Sequence, residues 1–147
     1  MYRADGPEEM RPVGEVEFVQ GQAAASASGL YGPGRAAATI IGHANLLLGD
    51  QAEPVLNALQ AASPNRFHGI RHSVTWDDEV TSTAAHSMPG QMSSDNFRAG
   101  ARLLAKMGLS LEGWMFFRQL PELAELAKAI PDLTIILNHV GGLLREG

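Results

Sequence analysis

The stretch from Leu109 to Gly142 constrains the fold of this chain more than any other, because it reads as strand, helix and strand in immediate succession. Leu109 to Phe116 is short, apolar and rich in aromatics. Leu120, Leu123, Leu126, Ala127 and Ile130 then follow the spacing of one helix face. Pro121 suits a first helical turn, where a missing N–H costs nothing, and Pro131 stops the helix. Leu133 to Leu137 is a continuous apolar run, the pattern of a strand buried on both faces of a parallel sheet. Two parallel strands need a crossover of about this length, so the stretch predicts a βαβ unit. It ends in Asn138-His139-Val140-Gly141-Gly142, which sets a histidine and two glycines at the carboxyl end of a strand. In α/β proteins ligands bind at that end.

The remainder repeats the alternation. Pro12 opens a helix running to about Ser28, with an apolar stripe of Val13, Val16, Val19, Ala23, Ala24 and Ala27, and Gly29 ends it. Gly29-Leu30-Tyr31-Gly32-Pro33-Gly34 is glycine-rich but precedes its nearest strand, the wrong polarity for a phosphate loop, and reads as a turn. A strand is expected over 37–43. A helix follows from Gln51 to Ala62, with Asp50 and Glu53 at capping-box spacing. Phe67 to Ser73 is a second strand. Val74 to Met92 is a long aperiodic loop, of the kind that often sits over a binding site. Ser93 or Ser94 caps a further helix, which buries Phe97, Ala101, Leu104, Ala105 and Met107 and ends at Gly108. Strand follows helix with no hairpin between, so the expected class is α/β with a mostly parallel sheet.

Composition removes whole classes of function. The net charge of −5 argues against nucleic acid as a partner. The absence of cysteine excludes disulfides, thiolate metal sites and cysteine nucleophiles. No run approaches the ~20 apolar residues of a membrane span, and the polar first residues lack a signal-peptide core. The expectation is a cytoplasmic, acidic protein without membrane contact.

The chemistry is expected at the strand ends. His43, His72 and His139 fall at the carboxyl ends of separate strands and could share a pocket, where imidazole suits proton transfer or metal binding. The alternative is that each hydrogen-bonds local backbone. Arg71, late in its strand, calls for an anion, either a substrate carboxylate or a structural partner such as Asp77 or Asp78. Gln119 could offer its amide to a substrate or serve the start of the helix. His68, His86, Glu15 and Glu17 carry no expected role.

Four motifs in order resemble a known family. They are Pro12-Val13-Gly14-Glu15-Val16-Glu17-Phe18, Phe67-His68-Gly69-Ile70-Arg71-His72, Gln119-Leu120-Pro121-Glu122-Leu123 and Asn138-His139-Val140-Gly141-Gly142. Together they resemble the amidohydrolase-related family of TIM-barrel hydrolases, which includes dicarboxylate lactonases and related decarboxylases. The resemblance spans essentially all of residues 1–147. It implies a partial (β/α)8 barrel of about four parallel βα units, and hydrolysis of a lactone, ester or amide of a small organic acid. It implies His139 as the catalytic position, which serves the metal site in metal-using members, with a divalent metal such as zinc in the complete family enzyme, and lies beside the substrate in the metal-free lactonase branch. It also implies a substrate-binding role for Arg71, beside which His72 and Gln119 complete the expected binding set. The family's His-x-His pair and its late aspartate have no counterpart here, and eight strands usually take about 250 residues. The chain is therefore expected to be a central fragment of such a barrel, prone to self-association through open sheet edges. The rival expectation is a non-catalytic remnant or an open-sheet α/β binding module.

Overall fold

The computed structural model describes residues 1–80 and 87–143. Four strands form one sheet: β1 (Ile40–Gly42), β2 (Phe67–Ser73), β3 (Ser110–Trp114) and β4 (Ile135–Leu137). They lie in chain order, β1-β2-β3-β4, and every pairing is parallel. Helices α1 (Val13–Ala27), α2 (Glu53–Ala62), α3 (Asp95–Lys106) and α4 (Leu120–Ala129) precede or connect them. The fold is α/β and barrel-like, with four of the eight units that a closed (β/α)8 barrel requires. Among the described residues no helix is long and apolar enough to cross a membrane.

One core holds the layers together. Val13 and Val16 of α1, Val55, Leu56 and Leu59 of α2, Phe97, Ala101 and Leu104 of α3, and Leu123 and Leu126 of α4 are all buried. From the sheet, Ile40, Ile70 and Leu111 meet them. The opposite face carries Arg71 and Glu112, in register with each other and with Ile136. Gly69 lets β2 and β3 come together, since a Cβ there would fall onto Ser110.

Several boundaries differ from the sequence reading. β1 starts at Ile40, not Ala37, because Ala37 takes a left-handed turn at φ 48° that no strand continues through. Asp50 does not cap α2. A 3₁₀ segment, Leu46–Ala52, intervenes; Asn45 caps it by accepting from the Leu47 N–H, and Gly49 kinks it. Ala24 and Ala27 are exposed, so the buried stripe of α1 is Val13, Val16 and Ala23. The Ser94 cap of α3 is present, its hydroxyl accepting from the Phe97 N–H at 3.3 Å.

The main correction concerns β4. A strand buried on both faces was expected, yet Ile136 and Leu137 are 43 % and 41 % exposed. Among the described residues β4 pairs only with β3, so the apolar run lies at the edge of the sheet. Its hydrophobicity is that of an interior strand, and its surroundings are not.

Candidate functional site at the carboxyl edge of the sheet

β1 and β2 end side by side, so His43 emerges next to Arg71 and His72. The His43 Nδ1 lies 3.0 Å from the Arg71 carbonyl oxygen. A carbonyl only accepts, so Nδ1–H is the donor, and in the neutral ring Nε2 is then the acceptor. His43 lines two cavities. One, of about 600 Å³, also takes in Asn45, His72, Ser73 and Gln91; the other, of about 440 Å³, takes in Arg71, Ser73 and Glu112. Tyr2 walls both. Its segment is held by the Arg3 N–H on the Arg11 carbonyl and by the Arg3–Glu17 ion pair. Burial, and then the Glu15 carboxylate, push the Tyr2 hydroxyl up from its ordinary range.

His72 sits behind this surface, its ring 5.7 Å from that of His43 and edge-on to Phe97 at 5.3 Å. The Leu46 N–H donates to its Nδ1 at 3.2 Å, and Nε2 lies 3.0 Å from the Gln91 side-chain amide. Burial pushes its pKa down to about 4; the nearby His43 adds to the fall and the Ala44 carbonyl opposes it. His72 is thus a neutral, structurally engaged ring near pH 7, adjacent to His43.

Arg71 meets neither Asp77 nor Asp78. Its Nε and Nη2 both donate to Glu112 Oε2, at 2.9 and 2.6 Å, across the β2–β3 register. Asn138 Nδ2 reaches the same oxygen at 3.2 Å. The Arg71 side chain remains 51 % exposed while that of Glu112 is 13 % exposed, so the guanidinium stays open to a ligand. Asp77 is paired with Arg118.

His139 and Gln119 lie outside this group. His139 follows β4 at φ 51°, and its ring packs edge-on to Trp114 at 4.7 Å. It lines neither cavity, and its link to Arg71 runs through Asn138 and Glu112. Val140 also has positive φ, a strained conformation for a β-branched residue. Gly142 meets the same demand without strain, and a side chain there would strike the Met115 carbonyl and the Trp114 ring. Gln119 is buried. Its Oε1 accepts from the Trp76 and Phe116 N–H groups, and its Nε2 donates to the Val74 carbonyl at 2.6 Å. Three of its four hydrogen-bonding positions therefore hold backbone, and the amide clips the loop after β2 to the turn after β3. His86 lies outside the described residues.

Glu112 and Tyr2 were not anticipated. A carboxylate alone on an otherwise apolar strand was the available signal for Glu112. For Tyr2 the signal is the resemblance of Met1-Tyr2-Arg3 to the segment just after an early barrel strand, which sets it near a strand end without giving it a role.

The amidohydrolase family model matches residues 20–146. The chain belongs to the amidohydrolase family. It is 32% identical over 102 residues to the "Uncharacterized protein y4mH" of Sinorhizobium fredii (strain NBRC 101917 / NGR234), an alignment covering 69% of this chain and 33% of that protein. The chain thus spans about a third of the length of that relative. No solved structure matches it.

Amidohydrolases are generally metal-dependent hydrolases. The residues described here do not fit a complete metal site, since among them no three His, Cys, Asp or Glu side chains come together to hold an ion. His139 can offer one imidazole, next to Trp114 and not next to a second ligand. Stable zinc sites take three or four protein ligands with oriented second partners. Titrating Zn²⁺ into this amidohydrolase chain by calorimetry is expected to show binding weaker than about 1 μM. Tight one-to-one binding would mean that residues beyond those described complete a shell.

Proposed function

We propose that this amidohydrolase chain holds the acid end of a small organic acid whose lactone, ester or amide bond is hydrolysed. One observation carries the reading: the open guanidinium of Arg71 and the acceptor nitrogen of His43 border one cavity at the carboxyl edge of a parallel sheet. Arg71 offers a carboxylate charge-assisted hydrogen bonds. His43, its tautomer set by the Arg71 carbonyl, is placed to take a proton from water attacking the bond. His72 lies beside that ring without carrying charge near neutrality. Arg71 and His43 are thus the residues on which the reading stands, and His139 joins them only by way of Asn138.

Monomethyl succinate, a half-ester with one carboxylate, tests this directly. The chain is expected to bind it with a dissociation constant of about 1 mM, the strength of one exposed charge-assisted contact. The His43 and His72 ring resonances should shift on binding, and Arg71→Ala should weaken binding at least about tenfold. Equal binding by Arg71→Ala would overturn the proposal. The rival reading, a non-catalytic binding module, draws support from the exposed apolar edge at β4. It expects the half-ester to be bound and released unchanged. Methanol release detected by NMR, abolished in His43→Ala, decides for hydrolysis.

A further inference from the structure

The pairing of Arg71 bears on which acids the site accepts, and the inference rests on the carboxylate-binding reading just given. The guanidinium is not an empty anion hole. Glu112 already takes two of its donors on a single oxygen, at 2.6 and 2.9 Å. The same oxygen also accepts from Asn138 Nδ2, and the carboxylate is largely covered, so it does not swing away into solvent. The cavity over Arg71 is also lined by Glu15 on α1. The cavity therefore holds two carboxylates, one of them already on the guanidinium, before any ligand arrives.

A ligand with one carboxylate can share Arg71 by using the donors that Glu112 leaves. A second carboxylate on the same small molecule would lie within a few ångströms of Glu112 or Glu15. Among the described residues no lysine or second arginine lines that cavity to receive it. At such distances, in the intermediate dielectric of a half-open cleft, like charges repel by an amount comparable with the whole binding free energy of a weak ligand. We propose that Glu112 is a specificity-determining residue, an internal carboxylate that makes this site select monocarboxylates, such as half-esters and lactones that keep one free carboxylate, over dicarboxylates of the same skeleton.

Succinate and monomethyl succinate differ by one charge on a shared four-carbon frame, and NMR titration at fixed ionic strength compares them. The native chain is expected to bind the half-ester at least about threefold more tightly than succinate. Glu112→Gln keeps an acceptor oxygen for Arg71 and Asn138 but removes the charge. It should improve succinate binding roughly tenfold while changing half-ester binding less, thereby reversing the preference. Raising the salt concentration should shrink the native preference, as screening requires. If the native chain prefers succinate, or if Glu112→Gln leaves the ratio unchanged while its amide spectrum shows an intact fold, the proposal is overturned. The two readings fail separately. Loss of both ligands in Arg71→Ala with an unchanged ratio in Glu112→Gln sinks only the role of Glu112. No binding of either ligand by native chain and Glu112→Gln alike sinks the carboxylate site itself, and this inference with it.

Discussion

Replacing Phe97 by alanine is expected to destabilise the domain by about 3–5 kcal/mol, the usual cost of truncating a core phenylalanine. The residue is fully buried in α3, in the same core as Leu46, Leu56, Ile70 and Leu104. Its first turn is pinned by the Ser94 cap, and Gly100 brings the next turn against the Leu46 backbone. The vacated volume therefore cannot close easily, which puts the cost in the upper part of the range. Phe97 also supplies the edge-on contact to His72, so the cavity opens beside that ring. Urea midpoints at pH 7 measure the first effect. The His72 Cε1–H titration measures a second, since water in the cavity should raise the depressed pKa toward 6.5. A loss below about 1 kcal/mol would mean that α3 is far less tightly held than its packing indicates.

Acid is expected to unfold this protein at a higher pH than its carboxylates alone would require. His72 has a folded-state pKa of about 4, against an ordinary value of 6.5 that the unfolded chain recovers. Between those values the unfolded state binds a proton that the native state refuses, so stability falls as pH falls. The contribution is complete above pH 6.5 and has gone by pH 4, and it amounts to on the order of 3 kcal/mol. Carboxylates in the ordinary range titrate mainly below pH 5, so the window from 6.5 to 5 isolates the histidine. Urea midpoints across that window should decline in the native chain and stay nearly flat in His72→Gln, whatever that substitution costs at pH 7. Parallel declines in both proteins would assign the acid sensitivity elsewhere.

The sequence was most informative where prolines and glycines punctuate it. Pro121 and Pro131 bracket α4, Gly108 closes α3, and the limits of β2 at Phe67 and Ser73 coincide with those expected. Once the strands were parallel and in order, placing His43, Arg71 and His72 at neighbouring strand ends followed from topology. What was hidden depends on relations between distant segments. The partner of Arg71 is set by the β2–β3 register, which pairs it with a residue 41 positions away; nothing local to either strand reveals that match. For Gln119, only the folded loops bring Val74, Trp76 and Phe116 to its amide. The swing of His139 onto Trp114 follows from a left-handed backbone turn that its flanking glycines permit but do not dictate. The exposure of β4 escaped for a different reason, because an apolar run reports what a strand is suited to pack against and not whether that neighbour is there.

The order of the sheet, β1-β2-β3-β4 in step with the chain, bears on how such a protein comes into being. Each strand pairs with its predecessor across a single crossover, and no strand inserts between two already placed. A chain leaving the ribosome amino end first can therefore dock each βα unit as it emerges, on an edge that is already waiting. Loop-closure cost is incurred once per unit and never for the whole sheet together. Parallel sheets are slow to assemble when distant strands must find one another, and a strictly sequential order removes that search. Among the described residues the same economy leaves β1 and β4 each with a neighbour on one side alone. Growth by one unit and loss of one unit are then equally simple changes to such a sheet, since neither disturbs a pairing already made.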